Sequence, residues 1–62
     1  MQMRFTVRVK DQKGREVAVY ELPAQGQVDA LNEAARRYQR EHPGKLLQRQ
    51  QMEAAISGRV VS

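Results

Sequence analysis

Residues 45–56, KLLQRQQMEAAI, decide the fold, because the two ways of reading them give two different proteins. Propensity favours a helix, since nearly every residue in the stretch is a good helix former and none before Ile56 is β-branched. Periodicity favours a strand. Wound as a helix, the apolar residues scatter around the whole circumference; extended, Leu46, Met52, Ala54 and Ile56 share one face while Arg49 and Glu53 take the other. A chain of 62 residues has to bury one coherent face per element, so a strand is the expectation. Gln48 and Gln50, on the apolar side of that strand, fit it worst. Gly58 marks a bend or bulge, after which Val60 and Val61 either continue the strand or fray.

Upstream of this stretch lies a segment with no such ambiguity. In residues 28–41, VDALNEAARRYQRE, the positions Val28, Leu31, Ala34, Ala35 and Tyr38 form one stripe of a 3.6-residue helix, with Asp29, Glu33, Arg36, Arg37 and Arg40 off it. Gly26 is the expected N-cap, which puts Asp29 at N3, where a carboxylate favours the positive end of the helix dipole. Glu33 with Arg37, and Arg37 with Glu41, have the i,i+4 spacing of helix-supporting ion pairs. His42-Pro43-Gly44 ends the helix, because the residue before proline is pushed out of the helical region and Gly44 can reverse the chain.

Further back, Met3, Phe5, Val7 and Val9 alternate with Arg4, Thr6, Arg8 and Lys10, which reads as a half-buried strand. Asp11-Gln12-Lys13-Gly14 then has the residues of a four-residue hairpin loop, and residues 15–22 return antiparallel until Pro23 stops them. This second strand is apolar on both faces, with Val17 and Val19 on one and Ala18, Tyr20 and Leu22 on the other. One face takes the helix. The other lies in water unless a second copy covers it, and we expect Ala18, Tyr20 and Leu22 to line such an oligomer interface. The plainer alternative is an open sheet face that tolerates a few apolar side chains. The expected architecture is thus α+β: a single small domain in β-β-α-β order, a three-stranded sheet with one amphipathic helix packed across one face.

Composition narrows the function by exclusion. Without cysteine there is no disulfide, iron–sulfur cluster, thiolate zinc site or thiol nucleophile. The longest apolar run, residues 17–20, is far short of the roughly 18 residues a membrane-spanning helix needs. With no signal peptide in view, a soluble cytoplasmic protein of bacterial or phage origin with no membrane partner is the expectation. So small a core, with one Phe, two Tyr and no Trp, is itself a motive for forming a homodimer.

No set of residues suggests an active site. His42 is the only histidine and sits at a helix end; Ser57 and Ser62 have no base beside them. Asp29 and Glu33 share a helix face, but two carboxylates do not make a metal site, and four isolated glycines form no phosphate cradle. We therefore expect no enzyme, no cofactor and no metal. Basic residues are the one concentrated polar feature, in a chain of net charge +4. Arg36, Arg37 and Arg40 on the helix, with Lys45 after it, form one group; Arg4, Arg8 and Lys10 form a second along the first strand, extended by Arg49 if the third strand joins the same sheet. Arginine forks suit phosphates, and a basic patch also suits an acidic protein surface. Only Tyr20 offers itself as a base-stacking platform, and no base-reading motif is present. A non-enzymatic interaction module, homodimeric and working through an apolar sheet face, an edge strand and the arginine-rich helix, is the leading expectation. A nucleic-acid-binding accessory protein, indifferent to base sequence, is the alternative.

Overall fold

The computed structural model describes residues 2–59, and it contains the expected elements in the expected order. The readings made for Val60, Val61 and Ser62 lie outside the described residues. Strand β1 spans Met3–Lys10, β2 Glu16–Ala24, helix α1 Gln27–Glu41 and β3 Met52–Arg59, with a single 3-10 turn, Arg49–Gln51, before β3. The sheet is antiparallel with β1 in the middle, so its order is β2-β1-β3 and both β2 and β3 are edges.

The hairpin forms because Asp11 organises its own loop. Its carboxylate accepts hydrogen bonds from the main-chain N–H of Lys13 at 2.9 Å and of Arg15 at 2.8 Å, while Gly14 takes the left-handed φ of +82° that closes the turn. Arg15 also pairs with it through Nε at 3.1 Å. Under these donors the Asp11 carboxyl is held below its ordinary value, chiefly by the Arg15 main-chain bond. A bulge beside Val9 and Lys10 then sets the register in which Phe5, Val7 and Val9 stand opposite Leu22, Tyr20 and Ala18. Directly opposite residues share a face, so these side chains lie together beneath the helix.

That register corrects the expected interface. Leu22 is 0% exposed at the centre of the core and has no surface to offer a second copy. Tyr20 and Ala18 are half-buried on the same helix-covered side. Val17 and Val19, at 48% and 47% exposure, are the residues of β2 that face outward. Pro23 does not stop β2 either; it sits within the strand opposite Arg4, tolerated because β2 is an edge and a missing N–H costs little there.

Helix α1 starts at an extended Gly26, as expected, and Asp29 at N3 reaches back to accept the Gln25 N–H at 3.1 Å. Its buried row is Ala30, Ala34 and Tyr38. Ala30 was absent from the expected stripe, and Val28, expected inside, is 57% exposed. The reason is size. Two alanines one turn apart let the helix lie close on Val7 and Leu22, and the close approach rotates the larger Val28 onto the flank. The helix ion pairs differ as well: Glu33 bonds Arg36 at 3.0 Å rather than Arg37, and Glu41 accepts the Tyr20 hydroxyl at 2.7 Å instead of an arginine.

The deciding stretch is a strand only from Met52 onward. Residues 45–48 are irregular, Leu46 is 91% exposed, and Arg49 stands in the 3-10 turn rather than in the sheet. The glutamines that fitted the strand poorly build that turn. Gln51 Oε1 accepts the Gln48 N–H at 3.0 Å, Gln48 Oε1 accepts Gln50 Nε2 at 2.7 Å, and Gln51 Nε2 donates to the Lys10 carbonyl at 3.0 Å. β3 then pairs with β1, placing Met52, Ala54 and Ile56 on the helix side.

Candidate functional site

β1 presents Arg4, Arg8 and Lys10 outward as expected, but the sheet brings acids to the same face. Arg8 bonds Glu16 at 2.9 Å and has Glu53 opposite it on β3, while Thr6 stands opposite Glu21. With Arg49 off the sheet, this row is a mixed-charge surface carrying two outward valines and not a cationic strip. On α1, Arg36 is paired, whereas Arg37 and Arg40 make no ion pair among the described residues. Lys45 is turned toward the hairpin, where it lines a shallow depression with Asp11, Lys13 and Arg15.

Tyr20 is not a stacking platform. Its ring packs against the core and its hydroxyl is spent on Glu41, which together with burial pushes its pKa up to about 12, burial being the larger cause. The other tyrosine, Tyr38, is buried on the sheet-facing side of α1, and its ring lies against that of His42 with centroids 4.6 Å apart and planes tilted by 39°. His42 is also the helix C-cap, its main-chain N–H donating to the Tyr38 carbonyl at 2.8 Å. Among the described residues no group of three or more His, Cys, Asp or Glu could hold a metal ion, and no helix is long and apolar enough to cross a membrane.

The two sheet edges differ in kind. Each edge strand carries one bulge, β2 beside Val17 and β3 at Ser57, but β2 also carries Pro23 and the acids Glu16 and Glu21, devices that discourage further pairing. The outer rim of β3 is uncharged from Ala54 to Gly58 and holds no proline. Its hydrogen-bonding direction follows from two contacts on β1. The carbonyls of Arg4 and Lys10 accept from Ser57 Oγ and Gln51 Nε2, so the even-numbered residues of β1 turn toward β3. Glu53 and Ala55, opposite Arg8 and Thr6, are then the bonded pairs, and Met52, Ala54 and Ile56 turn their N–H and C=O groups to the outside. In agreement, the Ala54 carbonyl accepts Gln27 Nε2 from the start of α1 at 2.8 Å.

Beside this rim runs a groove of about 460 Å³ between the N-terminus of α1 and β3, floored by Met3, Phe5 and Ala54 and bounded by Gln27 and Ile56. Ile56 is 60% exposed although it lies on the helix-covered side of the sheet, because α1 does not extend over it. No family model, no curated protein and no solved structure matches this chain. Its surfaces have to be read on their own chemistry. Sequence reasoning foresaw an edge strand but not Ile56, Met3 or Phe5 as the residues beside it; the signal available was the lack of charge in Ala-Ala-Ile-Ser-Gly.

Proposed function

We propose that this chain is a small non-enzymatic interaction module that binds an extended protein segment along the outer edge of β3. The observation that carries the reading is the combination of outward main-chain groups at Met52, Ala54 and Ile56 with an apolar groove directly beside them. Main-chain hydrogen bonds give such binding its strength and side-chain pockets its selectivity, which lets a short chain bind with few specialised residues. Gln27 supports the arrangement by holding the Ala54 carbonyl, whose second lone pair still accepts a partner's N–H.

A nucleic-acid role has one observation in its favour, the unpaired Arg37 and Arg40 on α1. Against it stand the acids that β2 and β3 set beside the β1 cations and, among the described residues, the absence of an exposed aromatic for bases to stack on. Affinity capture from a cell lysate, with and without nuclease, separates the two readings. The interaction reading expects capture that survives nuclease and is lost in Ile56→Lys. Capture that vanishes with nuclease and in an Arg37→Ala/Arg40→Ala variant, yet survives Ile56→Lys, would replace it with the nucleic-acid reading.

A further inference from the structure

We infer that the segment bound by β3 is the β3 of a second copy, in an antiparallel register that sets Ala55 against the partner's Ala55. This rests on the interaction reading above and names its partner. Only an even register joins outward-facing groups to one another while keeping both helices on the same side of a continuous six-stranded sheet, and among such registers the side chains select this one.

On the helix-covered side it brings Ile56 opposite the partner's Ala54, and Ala54 opposite the partner's Ile56. A large residue meets a small one twice, and each isoleucine drops into the other copy's groove over Met3 and Phe5. Ala54 exchanges main-chain N–H and C=O hydrogen bonds with the partner's Ile56, and Ile56 with the partner's Ala54. Between these bonded pairs the two Ala55 residues form a non-hydrogen-bonded pair, the kind in which facing side chains approach closest, and two methyl groups meet there without crowding.

On the open side the register adds charge complementarity. Glu53 comes opposite the partner's Ser57 and Gly58, where the β3 bulge leaves no large side chain in the way. Gly58 itself is paired with Arg4 on β1, so Glu53 reaches across the glycine to the partner's Arg4, and Arg4 to the partner's Glu53. Neither group has an ion-pair partner within its own chain among the described residues. Two chains of net charge +4 repel overall, and this pairing places opposite charges at both ends of the contact.

The test is the solution mass of the purified full chain by light scattering across a concentration series, with folding followed by circular dichroism. The expected result is a concentration-dependent rise from 7.1 kDa to twice that value, abolished in Ile56→Lys, a change at an exposed position that leaves the fold intact. Glu53→Arg and Arg4→Glu each weaken the dimer by about threefold to tenfold, and the double exchange restores it. Because the chain lacks cysteine, Ala55→Cys supplies a register marker: mild oxidation yields a covalent dimer, whereas Val19→Cys does not. A mass of 7.1 kDa at every concentration overturns the proposal, as does a dimer that survives Ile56→Lys and gives no Ala55→Cys cross-link. A monomer that still captures another protein through Ile56 overturns the self-pairing alone and leaves the interaction reading standing.

Discussion

Asp11 and Tyr20 show what single side chains contribute here. Asp11→Ala removes the acceptor for the Lys13 and Arg15 main-chain N–H groups, so the hairpin loop loses its scaffold and the melting temperature falls at neutral pH. Its carboxyl has a folded pKa below the ordinary 3.8, so the stabilisation is present above that value and lost as pH falls through the folded pKa. Wild type and variant should therefore converge in thermal melts at strongly acidic pH. Tyr20 works at the other end of the scale. Its hydroxyl donates to Glu41, and with a pKa raised from 10.0 to about 12 the bond stabilises fully below pH 10 and is lost as pH climbs toward 12. Phenolate absorbance should show a titration midpoint near 12 that disappears in Tyr20→Phe, a change costing about 1 kcal/mol of stability. The Asp11 loop was legible in the sequence, because a turn-favouring aspartate and a glycine three residues on act locally. The Tyr20–Glu41 bond was not, since it joins residues 21 apart that only the packing of α1 on β2 brings together.

At the level of elements, close approach of α1 to the sheet depends on alanine. Ala34 is fully buried against the core, so Ala34→Leu overfills the interface and should cost about 1–3 kcal/mol in chemical denaturation. Gly44, at φ +87° in the turn after the helix, has open space around it, so Gly44→Ala costs backbone strain only, about 1 kcal/mol by the same measurement. The strand β3 shows how far pattern reading reaches. Alternation identified Met52, Ala54 and Ile56 as one face, and the structure agrees. It failed at Leu46, Gln48, Arg49 and Gln50, where short-range glutamine hydrogen bonds favour a 3-10 turn that no period-2 template can register.

For the whole molecule, stability is the governing quantity. A domain of this length has roughly 3–9 kcal/mol to its credit, and Leu22 is among its largest fully buried side chains. Leu22→Ala, at about 2–5 kcal/mol, should remove a large share of that margin, read by circular dichroism as a clearly lower melting temperature and denaturation midpoint. Self-association through β3 links stability to concentration: the melting temperature should rise with protein concentration in wild type and stay constant in Ile56→Lys. By itself the sequence determined the order of the three strands and the helix, the hairpin loop, the helix cap at Gly26 and the turn at Gly44, all set by residues near one another in the chain. Tertiary structure alone decided which face of β2 meets the helix, which acids neutralise the β1 cations and which edge is left open. Those outcomes depend on strand register and on the bulges that shift it, and register is a relation between segments that no single stretch of sequence contains.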